Sequence, residues 1–400
     1  MLTEAREARP SSGAAAAVAL SSRFGVARLA LTNFRNYRSA RVAPRDGTVV
    51  LTGPNGAGKT NLLEALSFLA PGRGLRGAKL GEVERRPRSE DVIGSQGWAV
   101  AATIDTRSGT IRIGTGRDPA GGERRTVLID GEPARNQGAL GEHLGVVWLT
   151  PRMDRLFVEA PGGRRRFLDR LVLAIDPTHA TRVGSYEQAL RERDHLLRQG
   201  PADPRWLGAL EEVMATQGVA VAAARREAVL RLDAACAETE GPFPCARLAL
   251  VGTIEEWLDQ MPALAAEANF AAALAQARRA DTLTGGAAVG PHRSDLRVTL
   301  SPAAVAAEFA STGEQKALLI SIVLAHAKLQ QALRGEPPLL LLDEIAAHLD
   351  AERRVALFGL LSQNESQAWL TGTDEALFAP LRGRAQFLSV YDGTITEAYS

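Results

Sequence analysis

Cysteine is nearly absent: Cys236 and Cys245 are the only two in 400 residues. They have no CxxC spacing and no histidine cluster beside them, which argues against a zinc site. A chain this long needs no disulfide scaffold, so a reducing, cytoplasmic setting is expected. Lysine is scarce too. Only Lys59, Lys79, Lys316 and Lys328 stand among 47 lysines and arginines, a bias that a GC-rich genome alone would produce. No stretch of about 18 apolar residues occurs, so no membrane-spanning helix is expected. Aromatic residues make up 5% of the chain, too few to interleave with its basic clusters, and base stacking is not indicated. Net charge is +1, so bulk charge points to no polyanionic partner. What is present, 45% hydrophobic and 23% charged residues, is ordinary globular composition. It excludes a wholly disordered, collagen-like or coiled-coil chain. At roughly 100–200 residues per domain, two or three domains or lobes are expected.

Residues 1–23 are rich in Ala, Ser and Arg. Their apolar run, Ala14–Leu20, is short and follows Glu4 and Glu7, unlike a signal peptide. A disordered extension is expected there. Strand-like alternation starts near Val26 and runs to Tyr37. Thr48–Thr52 is a short β-rich run before a glycine, and Thr60–Ala70 places Leu62, Leu66 and Leu69 at helical spacing. Trp98–Ile104, Thr110–Ile113 and Arg125–Ile129 are short strand candidates, and Asp130-Gly131 is a hairpin signal. From Gly163 to Ala280 the pattern is mainly helical, with segments Arg182–Arg198, Pro204–Glu238 and Ala263–Ala280. No heptad seam lasts long enough for a long coiled coil. Residues 241–252 and 284–300 read as strands and loops. Leu339–Leu342 is an unbroken apolar run, as a strand buried on both faces requires. The expected organisation is therefore 1–23 extension, 24–150 first half of a head, 151–285 mainly helical second lobe, and 286–400 second half of the head.

Gly53-Pro54-Asn55-Gly56-Ala57-Gly58-Lys59-Thr60 fits the P-loop pattern G-x-x-x-x-G-K-[ST], with a strand before it and a helix after it. Its glycines let backbone N–H groups curl around phosphates, and the following helix adds its positive end. These eight residues and Asn61 are the nucleotide-binding candidates. Lys59 can reach the β- and γ-phosphates, and the Thr60 hydroxyl can enter a Mg²⁺ shell. Leu339-Leu-Leu-Leu-Asp343-Glu344 has the form of a Walker B strand. Asp343 is the second Mg²⁺ candidate, and Glu344 is placed to orient and deprotonate an attacking water. Lys59 and Glu344 are thus the catalytic candidates.

Ser311-Thr312-Gly313-Glu314-Gln315-Lys316 opens an apolar-periodic helix 32 residues before Asp343. Ser311 and Glu314 form a capping box. A capped helix start beside a glycine is also an anion site, and the spacing suits an ABC-type signature helix, so Ser311 and Gly313 join the nucleotide candidates. Ala347-His-Leu-Asp350 follows like a D-loop. Trp369-Leu-Thr371-Gly-Thr373 is expected after a strand, with Thr where ABC ATPases carry a switch histidine. Gly290-Pro-His292-Arg293-Ser-Asp295 reads equally as a plain turn or a functional loop. Arginines cluster locally: Arg23, Arg28, Arg35, Arg38, Arg41 and Arg45 with no acid among them, five in residues 73–88, and the triplet Arg164–Arg166. Such clusters either neutralise DNA phosphates or form an ordinary solvated face. Arg35, Arg38, Arg73 and Arg76 are the DNA-binding candidates.

Taken together, these motifs resemble the ABC-type ATPases of the SMC-like group and, within it, the RecF family of bacterial recombination mediators. The resemblance runs from about residue 26 to 400. It is carried by Asn33–Tyr37, Gly53–Thr60, Gly162–Asp169, Gly290–Asp295, Ser311–Gln315 and Asp343-Glu344. SMC proteins would insert a long coiled coil where this chain has a moderate helical segment. The resemblance implies an α/β fold: an ABC-type P-loop ATPase head with a second, mainly helical lobe. It implies ATP and Mg²⁺ as cofactors, a homodimer closed around two ATP molecules, and a weak ATPase whose turnover resets the dimer. It implies a role in replication, recombinational repair and the SOS response, with binding at gapped or single-/double-strand junction DNA. RecR and RecO are the implied partners, in loading RecA. Two features depart from the pattern. The signature reads Ala-Ser-Thr-Gly-Glu, with Glu314 where Gln is usual, and no Q-loop glutamine is found near Trp148–Pro151. Another SMC-like ATPase, a transporter-type ATPase subunit and a non-enzymatic scaffold remain as alternatives. The first measurement to separate them is ATP-dependent DNA binding.

Overall fold

The computed structural model describes residues 24–45, 47–86, 97–118, 124–200, 203–238, 241–363 and 365–397. The expected extension 1–23 lies outside these, as do Arg23 and Arg88. A six-stranded sheet forms the middle of the head. Its order is β15 (Thr394–Glu397), β14 (Ala385–Tyr391), β3 (Thr48–Thr52), β13 (Ala368–Gly372), β12 (Leu339–Leu342) and β8 (Val146–Leu149). All neighbours run parallel except the β14–β15 hairpin. Period-two alternation explains the four-leucine run in β12. Leu340 and Leu342 enter one core, and Leu339 and Leu341 enter the other.

The first of these cores lies under α9 (Thr312–Arg334), α4 (Pro161–Ile175) and α10 (Ala351–Gln363). The second lies under α1 (Lys59–Ser67) and an antiparallel sheet. That sheet is ordered β2 (Tyr37–Val42), β1 (Gly25–Phe34), β4 (Trp98–Thr106), β5 (Gly109–Arg117), β6 (Thr126–Ile129) and β7 (Glu132–Pro133). Phe34, Phe68 and Trp98 meet edge-to-face between sheet and helix, with centroids 5.1–5.9 Å apart. Asp130 and Gly131 both take positive φ, 51° and 92°, as a two-residue I′ hairpin turn demands. Two one-turn helices, α2 (Leu80–Val83) and α3 (Leu140–His143), fill the connections.

The expected helical segments become α5 (His179–Arg198), α6 (Pro204–Ala237) and α8 (Ala263–Thr284), with α7 (Thr253–Gln260) between the last two. Tyr186, Met214, Val219, Phe270 and Leu274 form their own core. The lobe is nonetheless continuous with the head. The last turns of α6, from Ala228 to Cys236, pack into the head core. A third sheet, β11 (Val305–Ala306), β10 (Asp295–Ser301) and β9 (Cys245–Val251), pairs a strand from the span 151–285 with one beyond it. The boundary drawn at 285/286 therefore falls between paired strands. Both cysteines are free thiols; burial pushes the Cys236 thiol up to about 12.

One fully buried cation ties the lobe together. Arg193 on α5 donates to Glu211 of α6 at 2.9 Å, to Asp281 of α8 at 2.8 Å and to the Leu274 carbonyl at 2.7 Å. Removing one partner of such a network strands the others in low dielectric. Arg193→Met is expected to cost about 3–5 kcal/mol of stability, read as a lowered urea midpoint by circular dichroism. An unchanged midpoint would refute a structural role.

Candidate nucleotide site

Strand β3 ends at Thr52 and α1 starts at Lys59, so the P-loop is the link between the head's central strand and its first helix. Pro54, Asn55 and Gly56 form its exposed crest, while Ala57, Gly58 and Lys59 are buried. Two glycines are obligatory here. Gly53 has φ 142°, and a Cβ there would stand 2.2 Å from the Val390 carbonyl oxygen. Gly58 has φ 119°, and a Cβ would stand 2.6 Å from Asn36 Nδ2 and 2.8 Å from the Tyr37 hydroxyl.

The β1–β2 hairpin clamps this loop from below. Asn36 Nδ2 donates to the Ala57 carbonyl at 2.9 Å, and the Gly393 N–H reaches the same oxygen at 3.2 Å. The Tyr37 hydroxyl donates to the Gly58 carbonyl at 2.9 Å; burial raises that phenol's pKa above its ordinary value. Asn61 Nδ2 donates to Asn36 Oδ1 at 2.7 Å. Beneath them lies Glu64, fully buried on α1. Arg35 grips both its oxygens at 2.6 and 2.8 Å, and Arg76 adds a third bond at 2.7 Å while also donating to Asn61 at 2.6 Å. Asn61 and Arg35 thus have their polar atoms engaged inside the head, whereas Arg76 engages Nη1 alone and its side chain stays 30% exposed. Arg38 and Arg73 are exposed. The supporting role of Asn36 and Tyr37 was missed by the sequence reading. The available signal was Glu64, a lone carboxylate beside Leu62, Leu63 and Leu66 that calls for a buried cation.

The acidic half of the site arrives on β12. Asp343 accepts from the Thr60 hydroxyl at 2.9 Å and from the Thr371 hydroxyl at 2.8 Å. The Thr371 oxygen in turn accepts the Glu344 N–H at 2.8 Å. Glu344 has φ 52°, a left-handed kink that turns its side chain off the strand. Its carboxylate stands 3.7 Å from Lys59 Nζ. Lys59 also donates to the Gly53 carbonyl at 2.7 Å and the Pro54 carbonyl at 3.1 Å. Lys59, Thr60, Asp343 and Glu344 therefore converge as the motifs require. One expectation is corrected: Trp369–Gly372 does not follow a strand but lies within β13, which is what brings Thr371 against Asp343.

At the sheet edge, the Asp343 N–H donates to the Leu149 carbonyl, so Trp148–Pro151 runs beside the acidic pair. Three residues beyond it, Asp154 pairs at 3.4 Å with the buried Lys316. Burial draws the Lys316 ammonium below the usual lysine range, against the pull of Asp154 and then Glu344. Ser311 caps α9 as expected. Its hydroxyl accepts from Glu314 N–H at 3.3 Å, while its own N–H donates to the Glu314 carboxylate at 2.8 Å. Hydrogen bonds from Ser311 hold that carboxyl below the usual range. Ser311 is exposed, and a Cβ on Gly313 would meet nothing within 4 Å. The signature turn faces outward. The other two motif segments meet each other: Arg164 holds Asp295 in a fork at 2.7 and 2.9 Å, and Arg165 donates to the Ser294 carbonyl at 2.8 Å.

The family model of the RecF/RecN/SMC N terminal domain matches residues 25–391. The DNA replication and repair protein RecF of Mesorhizobium japonicum is 51% identical over 374 residues, which cover 92% of this chain and 97% of the relative. The chain belongs to the RecF family. The protein of the same description from Rhizobium rhizogenes is 47% identical, over 93% of this chain and 98% of its own. In fold, the chain is similar to the recombination mediator protein RecF-ATPrS in the RecFOR pathway, with a TM-score of 0.82 at 20% identity over 94% of this chain and 99% of that one. The Smc head domain from Pyrococcus furiosus is a looser match, with a TM-score of 0.53 at 17% identity over 93% and 95%. The fold is thus an ABC-type P-loop head joined to a helical lobe. Among the described residues no helix is long and apolar enough to cross a membrane.

The clamp on the P-loop has a measurable consequence. Asn36→Ala is expected to weaken ATP binding about tenfold, the effect of losing a part-buried hydrogen bond that shapes the loop. Arg38→Ala, on the same hairpin but exposed, is expected to leave it unchanged. Titration with a fluorescent nucleotide checks both; equal affinities for the two variants would refute the clamp.

Proposed function

We propose that this chain is an ATP-switched DNA-binding protein of replication and recombinational repair, closing as a homodimer around two ATP molecules at gapped or junction DNA. The observation that carries this is the half-site geometry. One chain supplies Lys59, Thr60, Asp343 and Glu344 together, while Ser311 of its signature turn is exposed, as a contact made across a dimer would require.

In this reading the P-loop N–H groups cradle the phosphates. Lys59 exchanges the Gly53 and Pro54 carbonyls for the β- and γ-phosphates. That move parts it from Glu344, whose carboxylate then accepts a proton from the attacking water. The Thr60 and Asp343 oxygens, already 2.9 Å apart, fit a Mg²⁺ shell. Mg²⁺ commonly takes one or two carboxylates and leaves the rest to phosphates and water. Such an ion would neutralise charge on the phosphates. Ser311 and Gly313 of one protomer approach the γ-phosphate held by its partner. Contacts present only in the closed dimer make ATP the switch, because a ligand shifts an equilibrium by its differential affinity for the two states.

DNA is met through exposed arginines by backbone neutralisation. Arg38 and Arg73 remain candidates. Arg28, Arg41 and Arg112 stand exposed on the antiparallel sheet, where Arg28 and Arg112 flank Thr103 in register. RecR and RecO are the proposed partners, with RecA loading downstream; a similar solved structure belongs to the RecFOR pathway.

Binding of labelled gapped DNA and matched blunt duplex, with and without ATP, tests the reading. Binding is expected only with ATP, lost in Lys59→Ala and prolonged in Glu344→Gln, with turnover in the latter reduced about 100-fold or more. Equal binding without ATP would sink the switch.

A further inference from the structure

A second cluster of cations lies away from the P-loop motifs, where α4, α5 and α6 meet the loop Gly290–Asp295. Arg165, Arg166 and Arg225 line a cavity of about 160 Å³ there, together with Tyr186 and His292. Arg225 is satisfied: it grips both oxygens of Asp169 at 2.7 and 2.8 Å and donates to the Pro291 carbonyl at 2.6 Å. Asp169, which also lines the cavity, meets His179 as well at 2.8 Å. The rim carboxylate of Glu187 faces Arg191 at 3.5 Å.

Arg165 and Arg166 have no such partner. Arg165 donates to one carbonyl, that of Ser294, and neither forms an ion pair among the described residues. Their guanidinium groups hang over the same bare backbone: a Cβ on Gly162 would stand 3.4 Å from Arg166 Nη1 and 3.7 Å from Arg165 Nη2. Burial, and then the neighbouring Arg225 charge, lower the Arg165 pKa below its ordinary value, against the pull of Asp295 and Asp169; Arg166 presses the same way. His292 brings no negative charge. Its Nε2 donates to the Ala287 carbonyl at 2.9 Å and its Nδ1 faces the Tyr186 hydroxyl at 2.6 Å; burial lowers the ring's pKa below the ordinary histidine value.

Arg165 is half-buried and Arg166 exposed at the mouth of the cavity; like charges gathered there repel, and an anion relieves them. Guanidinium forks match phosphate oxygens geometrically. The volume equals the share of about five liquid waters, well below the roughly 300 Å³ at which pockets begin to take drug-sized ligands. It accommodates one phosphate group. We propose that this cavity is a second anion site, distinct from the P-loop, that holds a single phosphate group supplied by DNA or by free inorganic phosphate.

The test uses the full chain with ADP at saturation, so that the P-loop is filled, and titrates inorganic phosphate against chloride at matched ionic strength. Phosphate is expected to raise the melting temperature of the wild type. The double variant Arg165→Gln/Arg166→Gln should lose that rise with its ADP affinity unchanged, and Arg165→Lys/Arg166→Lys should keep part of it. The same proteins are then bound to gapped DNA with ATP across a salt series. If DNA supplies the phosphate, the slope of log affinity against log salt falls by about 1 in the glutamine variant; an unchanged slope assigns the site to free phosphate. A wild type that ignores phosphate under saturating ADP, or a rise that survives in the glutamine variant, overturns the site. The phosphate arm needs neither DNA nor hydrolysis, so it stands or falls apart from the function proposed above.

Discussion

Asp343 accepts hydrogen bonds from Thr60 at the start of α1 and from Thr371 on β13, while its own N–H binds the Leu149 carbonyl on β8. Four elements thus meet at one residue that is 5% exposed. A carboxylate buried this far must be hydrogen-bonded or paired with a cation. Here two hydroxyls satisfy it, and both are short side chains with little freedom to drift. The same bonds set the position of Glu344, because Thr371 accepts its N–H. The distance from Glu344 to Lys59 is therefore a property of the sheet, and it depends on the register of β12 and β13.

The P-loop needs a second support, and it comes from an element with no nucleotide chemistry of its own. Its backbone curls into conformations that leave carbonyls of Ala57 and Gly58 facing inward. Asn36 and Tyr37 close them off. Glu64 then fixes the hairpin that carries Asn36, by holding Arg35 next to it. Two arginines on one buried carboxylate leave a net positive charge under the loop, a favourable background for phosphates.

Much of this was legible in the sequence, for a physical reason. The P-loop and Walker B patterns are local: each residue's role follows from its place on a strand end or a helix start. Leu339–Leu342 and the capping box at Ser311 are of that kind. Arg35, Arg76 and Asn61 were not legible, since their roles depend on which distant group each one meets. A cluster of arginines looks the same in sequence whether it faces solvent or a buried glutamate. The helical lobe fell between these cases. Its helices were evident from composition, but the pairing of β9 with β10 across the expected boundary depends on tertiary placement alone.

Strand β3, which carries the P-loop, lies between β13 and β14. Its neighbours are thus made some 320 residues later. A chain emerging from the ribosome cannot complete this sheet until nearly all of it has been synthesised, because the two strands that flank β3 do not exist before then. Until then the apolar faces of β3, and later of α9, have no sheet to cover them, and such surface is prone to association. The order of synthesis also keeps a truncated chain from acquiring an intact nucleotide site, since Asp343, Glu344 and Thr371 all lie in its last sixty residues.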